Sequence, residues 1–271
     1  MRTRVLCPAK LNLSLIVGRP DATGYHPIRT VFQAIRLFDE LILDSDAQET
    51  SIQVEGMDLP TENTLTKTLR LVGEALRVPP LKITLSKRIP AESGLGGGSS
   101  DAAGLLRGLD AYLVAPIPEQ LKFEIAVAVG ADVPFFLVGG RALGEGYGER
   151  LTPLPDPPET WFALARPNVG VSTAQAYAAL DALDYPRPTD APLGVNDFER
   201  VAPCESTDLI ERLQALGASR AMLSGSGSAV FGEFESEGQA ALAAGVLARE
   251  GAVWTAVASS LPRRTSMVEA L

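Results

Sequence analysis

The chain has 271 residues, of which 46% are hydrophobic and 21% charged, and its formal net charge at pH 7 is −9. This length accommodates one large domain or two of ordinary size, and the hydrophobic content excludes wholesale disorder. The acidic balance argues against a nucleic-acid partner, because non-specific binding to nucleic acid needs a basic face. An acidic protein can still bind phosphate groups through local cations, backbone amides and Mg²⁺.

The cysteines and the hydropathy pattern indicate the compartment. Cys7 and Cys204 lie far apart and match no metal-ligand spacing, so free thiols in a reducing environment are expected, with a disulfide as the alternative. No stretch reaches about 18 apolar residues, and residues 1–18 lack the apolar run of a secretion signal. We therefore predict a cytoplasmic protein with no membrane segment and no evident obligate protein partner.

Residues 3–17 alternate between apolar and polar side chains with the period of two that is typical of a strand. The leucines of this stretch fall on one face, whereas Lys10 and Asn12 fall on the other. The Pro8-Ala9 pair predicts a bend just before Lys10. A single strand lysine is most often solvated, yet a polar face that carries both Lys10 and Asn12 can also line a cleft.

Turn-forming residues occupy positions 18–27, where the sequence reads Gly-Arg-Pro-Asp-Ala-Thr-Gly-Tyr-His-Pro. His26 is the single histidine of the chain. With no second ligand in view, an ordinary loop histidine is a simpler interpretation than a general base or a metal ligand. Tyr25 is either a flat surface for stacking or a packed loop aromatic.

Apolar periodicity places the next elements. It predicts strands at 31–37, 40–43 and 51–54, a helix at 62–77, a strand at 81–86, and helices at 99–112 and 118–129. In the strand at 81–86, apolar and polar residues alternate, which leaves one face wet and indicates an antiparallel sheet. A strand of a Rossmann fold would instead be apolar on both faces.

Residues 90–100 form a glycine-rich segment, called here the glycine loop, that runs into the helix predicted at 99–112. Glycine backbones can close on phosphate oxygens, and a helix start adds partial positive charge. No Gly-Lys-Ser/Thr closes the loop, which excludes a Walker A motif, and the spacing departs from the Rossmann fingerprint. A plain turn needs only one or two glycines. We therefore predict an unusual nucleotide-phosphate cradle, with Ser99, Ser100 and Asp101 at the helix cap.

Asp132 follows the helix predicted at 118–129 and has two interpretations, between which the local residues do not decide. The first is a turn aspartate that accepts a hydrogen bond from its own backbone. The second is a carboxylate held beside apolar Val133, Phe135 and Phe136, in surroundings that suit a general base.

A run of prolines at 153–158 marks the best candidate for a domain boundary, so we predict domains at 1–152 and 153–271. The second half is predicted to be β-α-β-β-α-β with an extra helix, which is a ferredoxin-like arrangement. Its turn at 225–227 is by default a hairpin turn, and the alternative is one wall of an interdomain cleft. The remaining predictions are strands at 161–165, 220–224, 228–234 and 252–258, helices at 173–183, 206–216 and 237–249, and a loop at 186–192.

Six segments, taken together and in this order, closely resemble the GHMP small-molecule kinases. They are Pro8–Leu13, Gly24–His26, Gly94–Ala103, Gly130–Phe136, Asn196–Glu199 and Ser224–Gly227. The resemblance covers nearly the whole chain. The glycine loop alone indicates only the superfamily. Its combination with the Lys10 strand, the Gly-Tyr-His loop and the Asp132 motif resembles the branch that acts on a cytidine diphosphate-linked methylerythritol.

This resemblance implies an α+β fold, in which a mixed or antiparallel N-terminal sheet with helices joins a ferredoxin-like C-terminal domain and the active site lies between them. It implies a kinase of the non-mevalonate isoprenoid pathway that uses ATP with Mg²⁺ and phosphorylates the 2-hydroxyl of its substrate. Asp132 would take the proton from that hydroxyl, and Lys10 would polarise the hydroxyl or keep Asp132 ionised. The other implied site residues are Pro90, Gly94, Leu95, Gly96, Gly97, Gly98, Ser99 and Ser100 for ATP; Asn12, Tyr25, His26, Thr173 and Tyr177 for the cytidine substrate; and Gly225, Ser226 and Gly227 as the cleft wall.

One residue departs from the family pattern. Glu92 stands where the family usually has a small residue, often glycine, and a carboxylate pointing inward there would repel phosphate. Two other hypotheses stay open: a kinase of the same superfamily for homoserine, mevalonate or a sugar, and a non-catalytic nucleotide-binding module. The presence of both Lys10 and Asp132 weighs against the second.

Overall fold

The computed structural model describes residues 1–56, 60–183 and 193–271. The loop predicted at 186–192 lies outside these residues. Over the ranges described, no helix combines the length and the apolar character needed to span a bilayer.

A long hairpin of two strands, β1 (Arg2–Val17) and β2 (Ile28–Asp44), forms the centre of the first sheet. The strands predicted separately at 31–37 and 40–43 are one strand, because β2 pairs with β1 along its length, including Phe38 opposite Pro8. A register shift between Pro8 and Ala9 supplies the bend predicted just before Lys10.

The rest of this sheet flanks the hairpin. It comprises β3 (Ser51–Glu55), β4 (Lys82–Ser86), β5 (Arg141–Glu145), β6 (Arg150–Leu154) and β11 (Val268–Ala270). Among the described residues the order is β11-β1-β2-β4-β3, and β5 pairs with both β2 and β6. Strand β4 is antiparallel to β2, as predicted, but parallel to β3, so the sheet is mixed.

Helices cover this sheet and close the first core. They are α1 (Thr64–Ala75), α2 (Gly97–Leu109), α3 (Glu119–Val129) and α4 (Val133–Val138). Apolar side chains from all four pack with the sheet strands into one buried cluster. The short helix α4 was not predicted, because its continuous apolar run carries no helical period.

The second sheet consists of β7 (Trp161–Arg166), β8 (Arg220–Leu223), β9 (Val230–Phe234) and β10 (Trp254–Ser259). Its order is β10-β7-β9-β8 and every pairing is antiparallel, which is the ferredoxin-like arrangement. The predicted α+β class is thus confirmed. The helices with this sheet are α5 (Thr173–Asp181), α6 (Cys204–Ala215) and α7 (Glu237–Arg249), with a 3₁₀ turn at Asp197–Val201.

A separate apolar cluster joins the two sheets. Leu11 and Leu13 of β1 belong to it together with Leu95 of the glycine loop and with Phe162 and Phe231 of the second sheet. The chain also returns to the first sheet at its end, where β11 pairs with β1. The boundary between residues 152 and 153 therefore stays a prediction.

Helix α2 packs closely on β1 because its facing positions are glycines. A Cβ added to Gly104 would overlap the sulfur of Cys7, and one added to Gly108 would lie 3.0 Å from Val5 Cγ2. This close approach fixes the height of the α2 start above the sheet, and the glycine loop leads directly into that start.

We predict opposite effects for two Gly→Ala changes in helix interiors. Gly104→Ala should lower the free energy of unfolding by about 1–3 kcal/mol, because the added methyl group is forced into a filled core. Gly73→Ala in α1 meets no atom within 4 Å and should raise it by up to about 1 kcal/mol through helix propensity. Urea titrations of both variants measure the two effects. Equal stability of the two variants would contradict this account of α2 packing.

Candidate active site

A cleft of about 1090 Å³ opens beside the glycine loop, and residues of both halves of the chain line it. It brings together most of the site residues that the sequence analysis named: Lys10, Asn12, Tyr25, His26, Pro90, Gly94, Gly96, Gly97, Gly98, Ser99, Asp132, Thr173, Tyr177, Gly225 and Ser226. Three others, Leu95, Ser100 and Gly227, are buried next to it without lining it.

The ammonium group of Lys10 is the most connected polar group in the cleft. It donates hydrogen bonds to Asn12 Oδ1 at 2.6 Å and to the carbonyl oxygen of Gly94 at 2.7 Å, and it lies 3.5 Å from Asp132 Oδ2. Lys10 is 3% exposed, so it is not a solvated strand lysine, which is the most common case for a single lysine in a strand. The amide of Asn12 donates in turn to Thr30 Oγ1, which fixes which way the Asn12 oxygen faces.

Asp132 lies between α3 and α4, directly before the first residue of α4. Its carboxylate makes no capping hydrogen bond to α4, and its side chain is 31% exposed. Within the described residues its one polar side-chain contact is the ion pair with Lys10. The interpretation of Asp132 as a turn aspartate that bonds its own backbone is therefore not supported. Its carboxylate remains available to a ligand in the cleft.

The glycine loop ends in a bare helix start. Helix α2 begins at Gly97, two residues before the predicted 99, and its cap is Gly96 in the left-handed conformation with φ of 75°. The cap at Ser99–Asp101 is therefore wrong, because a left-handed cap position suits glycine and not those side chains. No side chain bonds the first N–H groups of α2, which leaves them free for an anion.

Glycine is needed at different positions of the loop for different structural reasons. A Cβ on Gly94 would overlap the carbonyl oxygen of Ser224, and one on Gly97 would lie 3.0 Å from Lys87 Nζ and 3.1 Å from Ile89 Cγ2. These two positions permit packing against the protein. Of the residues that the structure describes, only Thr64 lies near Gly98, at 3.5 Å, so the exposed backbone of Gly98 is the part that a ligand can approach.

Glu92 occupies the rim of the loop with a backbone φ of 50°, a conformation that glycine adopts at little cost. This explains in physical terms why a small residue such as glycine is favoured there. The Glu92 residue is exposed and lines the cleft, so its charge faces the ligand space without being buried in it.

The turn at Ser224–Gly227 is both a hairpin turn between β8 and β9 and a wall of the cleft. Ser224 Oγ donates to the carbonyl oxygen of Gly94 at 3.0 Å, across from the glycine loop. The amide of Asn196 holds the turn from behind by donating to the carbonyl oxygens of Leu223 and Gly225. The two interpretations of this turn, as a hairpin turn and as a cleft wall, are therefore compatible.

Aromatic side chains close the other end of the cleft. His26 stacks on Tyr177 with ring centroids 4.6 Å apart, its Nδ1 lies 2.9 Å from the carbonyl oxygen of Gly18, and its Nε2 lies 3.2 Å from Asp181 Oδ2. Burial raises the pKa of Tyr177 to about 12, so this phenol stays neutral. Tyr25 is 68% exposed and has Tyr147 as its ring neighbour at 5.6 Å.

Thr173 connects this aromatic end to the turn. Its hydroxyl lies 3.1 Å from Ser226 Oγ at the start of α5, the helix that also carries Tyr177. Both side chains line the cleft, so α5 and the turn form one continuous wall.

Sequence reasoning missed a buried ionic cluster beneath the glycine loop. Lys87 Nζ contacts Asp39 and lies 2.9 Å from Asp101 Oδ2, and Asp39 Oδ1 also accepts from the backbone N–H groups of Arg88 and Ile89. Asp101 and Lys87 line the cleft. From the sequence, Asp101 was considered only as a helix cap. No local pattern relates Asp39 to Lys87 and Asp101, which lie 48 and 62 positions further along the chain.

Asp101 is electrostatically unusual. Burial and the neighbouring Asp39 raise its pKa to about 7 in spite of the opposing effect of Lys87, and its Oδ1 is buried without a hydrogen-bond partner. Ser100 Oγ, one residue earlier, is likewise buried and unpartnered. Across the described residues, no group of three His, Cys, Asp or Glu side chains is placed to hold a metal ion.

Comparison with known proteins identifies the class. Residues 63–140 match the GHMP kinases N terminal domain, and residues 199–253 match the GHMP kinases C terminal domain. A homoserine kinase from Cytophaga hutchinsonii, 18% identical with a TM-score of 0.72 over 99% of this chain and 96% of its own, shares the fold. The protein is thus a small-molecule kinase of the GHMP class, and this class uses ATP.

More similar relatives define the family. The 4-diphosphocytidyl-2-C-methyl-D-erythritol kinase of Moorella thermoacetica is 38% identical over 82% of this chain and 87% of its own length. That of Citrifermentans bemidjiense is 37% identical over 92% and 95%. A crystal structure of a 4-(cytidine 5'-diphospho)-2C-methyl-D-erythritol kinase is 34% identical, with a TM-score of 0.80 over 95% and 98%. The chain belongs to the 4-diphosphocytidyl-2-C-methyl-D-erythritol kinase family.

We predict a pH-dependent effect of Asp101→Asn. Because the pKa of Asp101 rises from 3.8 to about 7 on folding, its protonation favours the folded state below pH 4, and this contribution is lost as the pH rises toward 7. The stability of Asp101→Asn relative to the parent should therefore improve between pH 5 and pH 8. Urea titrations at both values measure this difference.

Asp101→Ala serves as the control for this experiment, because it also lacks the titrating carboxyl but cannot hydrogen bond to Lys87. It should be less stable than Asp101→Asn and show the same trend with pH. A stability difference that stays constant from pH 5 to pH 8 would contradict the raised pKa.

Proposed function

We propose that this protein transfers the γ-phosphate of ATP to the 2-hydroxyl of 4-diphosphocytidyl-2-C-methyl-D-erythritol. The observation that carries the proposal is the Lys10–Asp132 pair, which lies in the cleft between a bare helix start and an aromatic pocket. The helix start suits a triphosphate and the pocket suits a base, so the pair lies where the two substrates would meet.

Asp132 would accept the proton of the substrate hydroxyl. Its carboxylate has no hydrogen bond from its own turn and lies 3.5 Å from the ammonium group of Lys10. That ammonium is already oriented by Asn12 and by the Gly94 carbonyl, so it would approach the reacting hydroxyl without reorganising. Phosphoryl transfer depends mainly on positioning and charge neutralisation, and this arrangement supplies both.

The charges that line the cleft support a role for Mg²⁺. Two lysines, Lys10 and Lys87, face four carboxylates, those of Glu62, Glu92, Asp101 and Asp132. A triphosphate entering this cleft would need an additional cation. The described residues offer no complete protein site for one, so Mg²⁺ would be shared with the phosphates, as is usual for this ion. The unpartnered Asp101 Oδ1 is the protein oxygen that would hold it, and the bound ion would neutralise charge on the transferring phosphoryl group.

The aromatic end of the cleft would hold the cytosine. Tyr177 is fixed by His26 on one side and by an edge contact to Phe198 on the other, so its position is set before a ligand arrives. Tyr25 is exposed and free to cover a base from solvent. A kinase for homoserine, mevalonate or a sugar would have no use for this pocket, which favours the cytidine substrate over those acceptors.

The cytoplasmic location is likewise a proposal that rests on the sequence.

An ADP-release assay across a panel of acceptors tests the proposed function. The panel contains the cytidine substrate, methylerythritol phosphate without cytidine, homoserine, mevalonate and a hexose, each with ATP and Mg²⁺. We expect turnover with the first compound and at least a hundredfold lower kcat/KM with the others. A preference for any other acceptor would overturn the substrate assignment, and no turnover with any of them would favour a binding module.

We predict that Asp132 and Lys10 act as one catalytic unit. Asp132→Asn keeps the side-chain shape and removes the base, so it should lower kcat by about 10²–10⁴-fold while ATP binding persists. Lys10→Ala should have a similar effect. The double variant should lose much less than the product of the two losses, because groups that act together are not additive.

Asp208→Asn, a change at an exposed position of α6, is the matched control and should leave kcat unchanged. Steady-state kinetics of the four variants, with ATP affinity measured separately, give the comparison. Near-normal kcat in Asp132→Asn rules out a catalytic base, and fully multiplicative losses would mean two independent contributors.

We predict that Tyr25 contributes to binding of the acceptor only. Tyr25→Ala should raise KM for the cytidine substrate by roughly 5- to 150-fold, which corresponds to the 1–3 kcal/mol of a base-stacking contact. KM for ATP should change less than twofold. Because Tyr25 is exposed, the variant should keep its fold. Tyr25→Phe retains the ring and should behave as the parent; an equal rise in both KM values would contradict the assignment.

A further inference from the structure

A second cavity, of about 270 Å³, lies where the end of α4 meets residues 261–268. Over the part of the chain that the structure describes, no residue lines both this cavity and the cleft. Its described lining contains two arginines, Arg107 and Arg263, and no carboxylate. This is unusual in a chain with a formal net charge of −9, and we call it the arginine cavity.

Arg107 reaches the cavity from the last turn of α2. Its guanidinium donates to the carbonyl oxygen of Phe136 in α4, and burial lowers its pKa. Within the described residues it forms no ion pair, so its remaining N–H groups have no anionic partner. Arg107 is partly exposed, so these N–H groups are accessible to a ligand in the cavity.

Arg263 also lines the cavity. Its Nη2 donates to the carbonyl oxygens of Arg141 and Leu154, whereas its Nε is buried and has no hydrogen-bond partner. The nearby carboxylate of Asp156 accepts from the backbone N–H of Arg263, not from its guanidinium. Arg263 is partly exposed, and its Nη1 makes no hydrogen bond among the described residues, so it too has a donor for a ligand in the cavity.

We propose that the arginine cavity binds a phosphate group, either as the free ion or at the end of a small metabolite. Guanidinium groups recognise oxyanions through paired N–H donors, and both arginines have donors to spare. The cavity volume equals that of about nine liquid water molecules, which is room for a phosphate and part of an attached chain. Leu137, Val138 and Met267 provide an apolar wall for such a chain.

Ser266 offers a sharp test, because it lines the cavity but is itself exposed, and among the described residues its hydroxyl makes one hydrogen bond, to the carbonyl oxygen of Val268. Ser266→Asp would place a carboxylate in the lining that the two arginines share and should oppose binding of an anion there. Ser266→Asn has nearly the same shape and no charge. Arg263→Gln removes one cation directly, and Arg264→Gln removes the neighbouring exposed arginine, which does not line the cavity.

The probe is inorganic phosphate, with glycerol 3-phosphate in a parallel titration. The protein is first saturated with Mg²⁺ and a non-hydrolysable ATP analogue, so that the glycine loop is occupied and a failure of the proposed function is distinguished from a failure of this proposal. Calorimetric titration and the shift in Tm measure binding. We expect saturable binding in the parent, at least a tenfold loss in Ser266→Asp and Arg263→Gln, and less than twofold change in Ser266→Asn and Arg264→Gln.

Tighter binding of glycerol 3-phosphate than of phosphate would support the site and assign it to the end of a metabolite, and the reverse order would support it as a site for the free ion. No saturable binding in the analogue-saturated parent would overturn the proposal. Unchanged binding in folded Ser266→Asp would also overturn it, because a carboxylate at that position must oppose any anion held by the two arginines.

Discussion

The site depends on the position of one buried cation. The Lys10 ammonium group contacts Asn12 on its own strand, the Gly94 carbonyl of the glycine loop and the carboxylate of Asp132. These three partners lie far apart in the sequence, so the ammonium connects the first strand, the loop and the start of α4. Burial of a cation is costly unless polar partners replace its lost hydration, and these three contacts do so for Lys10.

Close backbone approach makes this arrangement possible. Lys10 can reach the loop because a register shift in β1 lies just before it and because Gly94 brings the loop backbone against Ser224. The carbonyl oxygen of Gly94 then accepts hydrogen bonds from both Lys10 and Ser224. Gly225 lies against the same place, where an added Cβ would be 3.3 Å from Lys10 Nζ. The glycines of the loop and of the turn therefore allow the two halves of the chain to pack closely, as well as leaving space for a ligand.

The sequence predicted those parts of the molecule that have a local signal. Strand periodicity placed Lys10 and Asn12 on one face, and glycine content indicated the loop, because both patterns depend only on residues that are close together in the sequence. The start of α2 was misplaced by two residues, since the left-handed cap at Gly96 depends on packing against Phe136 and Lys10. The Asp39–Lys87–Asp101 cluster and the α4 helix were missed, because only tertiary structure brings the charges together and only burial stabilises so short an apolar helix.

Charge is distributed in a way that a count of residues conceals. In the cleft, Lys87 is already neutralised by Asp39 and Asp101, and Lys10 by Asp132, so neither cation is free to bind a triphosphate by itself. In the function proposed above, ATP would then be held by the unbonded N–H groups at the start of α2 and by the Mg²⁺ ion that arrives with the nucleotide. This dependence would have a chemical advantage for the proposed mechanism, because Lys10 would stay beside the carboxylate of Asp132 and would not be drawn away by the phosphates. The unpaired arginines lie elsewhere, where they cannot compete for the nucleotide, and an acidic protein can thereby hold a polyanion without a basic surface.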